Sequence, residues 1–381
     1  MAYTEENLTD FFSFSSYSSS SYHHVSDSNY HEVVYDKASK VIIKAIMPII
    51  FIIGITGNVL VILMITRCRL FHTPTNIYLV SLALADLTFL LASTIRRWVI
   101  YSTSPVLVED VGGLGDKAVY FCIIFESISN WSGAVSCAMI LFIALDRYFA
   151  ICHPIRFRII STNITAIYIS IAVWLIHLIP TLAYYTNQTL ITYRLKWEVS
   201  TNIMAHPKTS TLCTSRYTSD NIKYLYLMDE FLAILEVPII ITLYVLAVKQ
   251  LKRNSMKTLG KYQLAKRRRV INMLILTTAL YIICVIPLNF NLLIYEFDIN
   301  IFATSHTFHY VTALLLYINS AVNPIIYMLV RSDFRKAMKQ VLFCRKTELK
   351  ESLTLTTDSR TKRTRQSIEM RKLERCSSIA D

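Results

Sequence analysis

Seven long apolar stretches decide what this 381-residue chain can fold into. They run roughly from Val41 to Ile65, Thr75 to Ile95, Ala118 to Phe149, Ile164 to Tyr185, Tyr224 to Val248, Val270 to Tyr295 and His306 to Val330. About 20 apolar residues of helix cross the hydrocarbon core of a bilayer, so each stretch is long enough to do so. Within lipid the backbone donors and acceptors of a segment must be satisfied internally, and spans of this length do that as helices, not strands. The expected fold is an all-α membrane protein, a seven-transmembrane helix bundle over residues 41–330. A hydrophobic content of 54% excludes an ordinary soluble protein, and only 7 Gly and 9 Pro exclude a collagen-like or Pro/Gly-rich disordered one.

Seven crossings put the two termini on opposite sides, and the basic residues say which is which. The link from Lys249 to Arg269 carries nine Lys or Arg and no acid, so it belongs in the cytoplasm. Arg67 and Arg69 after the first stretch, and Arg156 and Arg158 after the third, agree, whereas Glu296 and Asp298 follow the sixth. The N-terminus is therefore expected outside, in a multi-pass protein of the plasma membrane. The net charge of +13 gathers in the inner loops and in the tail after Arg331, where it would meet anionic lipid headgroups and acidic partner surfaces; nucleic acid is a poor partner for it. Residues 1–40, rich in Ser, Tyr and acids, lack an apolar core, so they are expected to be a disordered outer tail without a cleavable signal peptide, the first helix serving as anchor.

Of eight cysteines, only Cys122 and Cys213 face an oxidising compartment in this topology, and they are expected to pair; two free thiols are the alternative. Asn7 and Asn187 lie in outer N-glycosylation sequons, whereas those at Asn130 and Asn163 read as accidental, one inside a helix and one at the inner face.

Short motifs punctuate the stretches: Gly57-Asn58-Val59 in the first, Leu82 to Leu87 with Asp86 in the second, Cys122 and Asp146-Arg147-Tyr148 in the third, Trp174 in the fourth, Pro238 and Pro287 in the fifth and sixth, and Asn323-Pro324-Ile325-Ile326-Tyr327 in the seventh. In that order and at matching depth they are specific. The chain resembles the rhodopsin-like (class A) G-protein-coupled receptors over roughly residues 41–344, and it is most similar to peptide and neuropeptide receptors.

The resemblance implies a receptor that binds an extracellular ligand and activates a heterotrimeric G protein, and it implies no enzyme. Asp86 is an ionisable group in mid-membrane, and such groups are costly and usually functional. In relatives the matching carboxylate binds an allosteric sodium ion with polar neighbours, here Ser136, Asn319 and Asn323; a neutral hydrogen-bonded acid without an ion is the alternative. Arg147, beside Asp146, is the implied switch, held in a bidentate pair until the G protein competes for it. A snorkelling interfacial Arg is the bland reading. Prolines at 238, 287 and 324 offer bends for a two-state bundle, with Asn323 supporting its own bend and Tyr327 reorienting as the helices shift.

The chain also departs from the family. Val285 stands where a tryptophan is usual, so no indole rotamer switch operates there. Arg267, Arg268 and Arg269 occupy the place of a second acid clamp on Arg147, which points to appreciable basal activity. Tyr244 follows Pro238 by six residues instead of eight, so the resemblance does not carry its partnership with Arg147 and Tyr327.

The ligand must be read from the outer half. Glu126 and Glu230 are placed to receive a cationic group; equally, Arg96 or Arg97 can neutralise these acids internally, and both readings stand. Ser129 occupies the position where amine-binding relatives have Asp, so amines are disfavoured; retinal is excluded more firmly, since a Schiff base requires an amine and His306 to Val330 has no lysine, with Tyr317 in the place an opsin would need it. The long outer loop and polar tail fit a neuropeptide or peptide hormone, with a lipid or other small non-amine ligand as the alternative. A transporter is the rival from another class, but no inverted repeat is found. Tyr30 and Tyr35 lie beside acids, as sulfated tyrosines do; an unmodified tail is the simpler reading.

Beyond the seventh stretch, Phe334, Met338, Val341 and Leu342 share one face, the pattern of a short amphipathic helix on the membrane over 331–344. Cys344 directly after it is a palmitoylation candidate, or a plain thiol. Residues 345–381 read as a disordered tail whose Ser and Thr suit receptor kinases and arrestin-type partners.

Overall fold

The protein is described by a computed structural model at residues 22–26, 30–67, 71–198, 207–215, 220–255, 272, 275–287, 306–331, 334–335 and 337–338. Two compact units divide the chain after Arg331. In the second, Phe334, Arg335, Ala337 and Met338 are helical; the rest of the expected surface helix, Cys344 and the tail lie outside the described residues.

The first unit opens with strand β1 (Tyr22–Ser26) and two short helices, α1 (Tyr30–Val33) and α2 (Lys37–Val41). The chain continues through a π-helical turn, Ile42–Ile46, into α3 (Met47–Arg67). Helices α4 (Pro74–Thr103), α5 (Ala118–Cys152), the short α6 (Pro154–Ile160) and α7 (Asn163–Tyr185) follow. Strands β2 (Gln188–Glu198) and β3 (Thr209–Ser215) separate these from α8 (Asp220–Ser255), α9 (Ile275–Pro287) and α10 (His306–Val330). Among the described residues six helices are long and apolar enough to cross a membrane, and α9 covers the middle of the sixth expected span. The remainder of that span lies outside the described residues.

Local sequence explains the breaks. Pro74 and Pro154 each sit in the first turn of their helices, where a missing N–H costs nothing. Thr73 caps α4 by accepting from the Asn76 N–H, and Asp36 caps α2 by accepting from Ser39 N–H at 2.7 Å. Large aliphatics such as Ile52, Leu91, Ile171, Leu175 and Ile239 stay exposed, the expected state for side chains that face lipid instead of a core.

Helix α5 is central, packing on α4, α7 and α8, while α3 packs on α4 and α10. The approach of α3 to α10 depends on glycine: a Cβ on Gly57 would lie 2.9 Å from Pro324 Cβ. Its neighbour Asn58 donates through Nδ2 to Gly54 O and to Ser320 O, both at 3.0 Å, which bridges the two helices. Trp174 Nε1 donates to Ser81 Oγ at 3.0 Å and Trp131 Nε1 to Trp174 O at 2.7 Å, joining α7 to α4 and α5.

At one end of the unit, β2 and β3 form an antiparallel hairpin tied to α5 by the Cys122–Cys213 disulfide (Cα–Cα 6.2 Å). The sheet has a third member that replaces the disorder expected for the tail with structure at the described residues 22–26 and 30–40. β1 pairs in parallel with β2, Tyr22 opposite Arg194 through Ser26 opposite Glu198. Val25, Val33 and Val34 then bury against Leu107 and Leu195, and Tyr35 N donates to Val106 O while Val108 N donates to Val33 O. The physical reason is that the tail borrows a core: it lacks an apolar run of its own but carries three valines that fit the hairpin. Residues 1–21, including Asn7, lie outside the described residues.

Candidate functional site

At the hairpin end, α4 and α5 and the segment between them bring four charges together. Arg96 Nη1 donates to Glu109 Oε2 at 2.8 Å, and its Nη2 donates to Glu126 Oε1. Arg97 Nη1 donates to Glu109 Oε1, and its guanidinium lies 5.0 Å from the ring centroid of Tyr310 on α10. The Tyr310 hydroxyl also donates to Glu109, at 3.3 Å. Tyr35 stacks on Tyr101 and Tyr310 with centroids 5.3 and 6.0 Å away. Burial, with Glu109 close by, pushes its phenol up to about 12, so it stays protonated at physiological pH. A Tyr35 held in this core leaves no room for sulfation in the folded protein; Tyr30 packs edge-on against Trp197.

Of the two readings left open for Glu126, the arrangement found is internal pairing with Arg96. Ser129 Oγ donates to Phe125 O at 2.7 Å, so its hydroxyl is engaged within its own helix. Tyr317 packs on Phe89 at 5.4 Å below the charged cluster. Glu230 belongs to α8, but its side chain lies outside the described residues. Asn187 sits in the turn between α7 and β2, with Nδ2 donating to Ala183 O at 2.7 Å.

Deeper in the bundle, Asp86 is fully buried and accepts from Ser136 Oγ and Asn323 Nδ2, both at 2.9 Å. Asn319 lies one turn before Asn323 on α10, and its Oδ1 is buried without a hydrogen-bond partner. Among the described residues no group of three or more His, Cys, Asp or Glu that could hold a metal ion is present; the polar groups around this carboxylate are the neutral Ser136 hydroxyl and the Asn319 and Asn323 amides.

At the opposite end, Arg147 Nε donates to Asp146 Oδ2 at 3.0 Å, and its Nη2 donates to the same oxygen and to Thr75 Oγ1. Thr75 in turn donates to Asp146 Oδ2 at 2.6 Å, and Ser161 to Asp146 Oδ1 at 3.2 Å. Tyr148 points instead toward His153 Nε2, 3.5 Å away. Tyr244 is buried within electrostatic reach of Arg147 and Tyr327, despite its unusual spacing from Pro238. Arg267 to Arg269 lie outside the described residues.

This set of helices, motifs and contacts has a counterpart among known proteins, because residues 57–327 match the family described as "7 transmembrane receptor (rhodopsin family)". The chain belongs to that family. The receptor is 29% identical over 310 residues to Neuromedin-U receptor 2 of Mus musculus, covering 79% of this chain and 75% of the relative. It is 28% identical to Galanin receptor 2b of Danio rerio over 80% of this chain and 76% of that one. To Somatostatin receptor type 4 of Rattus norvegicus it is 26% identical, over 81% and 74% respectively.

Within this receptor, sequence reasoning missed Glu109, Tyr310, Thr75 and Ser161. Thr75 carried a usable signal, since it follows a helix-starting proline at the same membrane face as Asp146. Glu109 carried none, because a turn residue has no periodicity to point it anywhere.

Proposed function

We propose that this receptor sits in the plasma membrane with its N-terminus and hairpin outside, binds an extracellular peptide there, and passes the signal to a heterotrimeric G protein at the Arg147 end. The observation that carries the reading is the pairing of two features in one family member. Its relatives are receptors for neuromedin U, galanin and somatostatin, and Arg147 is held by a breakable set of bonds to Asp146 and Thr75. The agonist meets α4, α5 and α10 at the hairpin end, where Arg96, Arg97, Glu109 and Glu126 are the charged groups. Receptor kinases and arrestin-type proteins act on the tail beyond residue 345, and anionic lipids meet the basic inner surface. The test is calcium and cyclic AMP response in cells expressing the chain, challenged with a peptide library, with Arg147→Ala as control. A response that the control abolishes at equal surface display supports the reading; silence to every peptide with normal display overturns it in favour of lipid ligands.

The resting state keeps Arg147 through two partners, Asp146 and Thr75. Removing the charge of Asp146 leaves the guanidinium with Thr75 alone, and hydrogen bonds to charged groups contribute roughly 1.5–3 kcal/mol each. Asp146→Asn is therefore expected to raise agonist-independent signalling roughly tenfold or more if one such bond governs the equilibrium, where 1.4 kcal/mol is a factor of ten. Thr75→Val should give a smaller rise of the same sign. Signalling at basal level in both, at equal surface amounts, refutes this role.

A sodium ion fits the residues around Asp86. A wholly buried carboxylate beside the Ser136 hydroxyl oxygen and an Asn319 oxygen that lacks a partner is the chemistry of a hard monovalent cation site, with Asn323 able to turn its amide oxygen toward the ion. Asp86, Ser136, Asn319 and Asn323 would hold it, and when bound it would neutralise the carboxylate. Asp86 itself ties α4 to α5 and α10 through Ser136 and Asn323, so a change in its charge biases the bend at Pro324. Asp86→Asn should abolish the dependence of agonist affinity on sodium against an N-methylglucamine control; a retained dependence counts against the site.

A further inference from the structure

The four charges at the hairpin end are not equally fixed. Arg96, Arg97 and Glu126 project from long helices, whereas Glu109 sits in a turn between α4 and α5. Its φ of 53° makes it the one non-glycine residue in the left-handed region among the described residues. For an L-residue with a long side chain that conformation is unfavourable and persists only where surrounding contacts over-determine it. Here the contacts are visible: both guanidiniums and the Tyr310 hydroxyl converge on the Glu109 carboxylate. Its side chain is also the most open of the four, 27% exposed against 15% for Arg96, 13% for Arg97 and 19% for Glu126.

We propose that Arg96 and Arg97 form a carboxylate-binding subsite and that Glu109 holds the place of an agonist carboxylate until it is displaced. This deepens the peptide-receptor reading and rests on it for the identity of the agonist. Charge conservation selects an anion over a cation. A cationic group reaching Glu109 must part it from both arginines, and one reaching Glu126 must part it from Arg96, leaving mostly buried guanidiniums short of a counterion. A carboxylate that replaces Glu109 keeps two cations and two anions in place, and the departing Glu109 moves only from a turn into water. The incoming group also finds an unused donor, because Arg96 Nε is buried without a hydrogen-bond partner. A carboxylate that engages Arg97 displaces Glu109 from Tyr310, so occupancy is felt at once on α10, the helix that carries Asn323 and Tyr327.

The experiment separates the subsite from the receptor reading by using small acids on purified receptor. Glu109→Gly keeps a residue that accepts the left-handed turn but removes the carboxylate; Glu109→Gln serves as a second variant. Thermal unfolding is followed in glutarate or acetate against sodium chloride of equal ionic strength. Both variants are expected to gain several degrees with the carboxylates over chloride, the native receptor much less because Glu109 competes, and variants also carrying Arg97→Ala nothing. Equal shifts in native and Glu109 variants, or a gain that survives Arg97→Ala, overturn the proposal. For any peptide that activates the receptor, free-acid and amidated forms and Asp→Asn or Glu→Gln analogues are then compared. Loss of one carboxyl should lower potency at least tenfold on the native receptor and far less on Arg97→Ala. A peptide indifferent to every such change defeats the assignment to the agonist.

Discussion

Arg96→Ala should remove most of the folded receptor from the cell surface. The substitution deletes a guanidinium that donates to both Glu109 and Glu126 from within the packed end of the unit. Breaking a fully buried ion pair from one side costs about 3–5 kcal/mol, because the surviving carboxylate keeps its desolvation cost without its partner, and this part-buried pair loses a share of that. Against a typical net stability of about 5–15 kcal/mol that is a large share. Glu126 suffers most, since Glu109 retains Arg97 and Tyr310. The informative companion is Arg96→Met with Glu126→Leu, which removes both charges and keeps the volume filled. It should recover much of the surface display and melting temperature that Arg96→Ala loses. Normal display of Arg96→Ala alone would show that the pair contributes nothing to the fold.

Gly57→Leu is the second large effect, and it acts through shape alone. Any Cβ at this position already meets Pro324 Cβ at 2.9 Å and Cγ at 3.0 Å. A proline ring has no rotamer to swing away, so α3 and α10 must separate. Separation breaks the Asn58 bridge to Ser320 O, on top of an overpacking cost of about 1–3 kcal/mol. Surface display should fall severalfold, and the receptor that remains should signal abnormally, because Asn323 on the displaced helix is a partner of Asp86. Gly57→Ala should show the same defects in weaker form. Wild-type behaviour of Gly57→Leu would mean that the two helices tolerate a wider gap than this packing suggests.

Helical spans were the legible part of the chain. Residues such as Ile52, Ile171 and Ile239 face lipid and so carry a composition signal that needs no tertiary context, which is why the span limits read from sequence fall within a residue of α7 and α10. Asp86, Ser136, Asn323 and the Asp146–Arg147 pair were legible for a related reason: polar groups in apolar surroundings advertise themselves. The opposite holds at the hairpin end. Glu109 is one acid among several in a polar loop, and only the fold reveals that Arg96 and Arg97 converge on it. Whether Glu126 would await a cation or pair internally was undecidable from spacing, since both partners are plausible until α4 and α5 are placed side by side. The tail misled for a similar reason: Val25, Val33 and Val34 look solvated in sequence, and their core is supplied by Leu107 and Leu195.

That borrowed core sets an order of events during synthesis. Residues 22–26 leave the ribosome before any of the spans, yet their strand partners are residues 194–198, which follow only after α3, α4, α5 and α7 have been made. Contacts so distant along the chain are closed late and slowly. A strand made before every span is thus among the last to find its place, and the newborn receptor passes through a period in which it is threaded but still unlatched at one end.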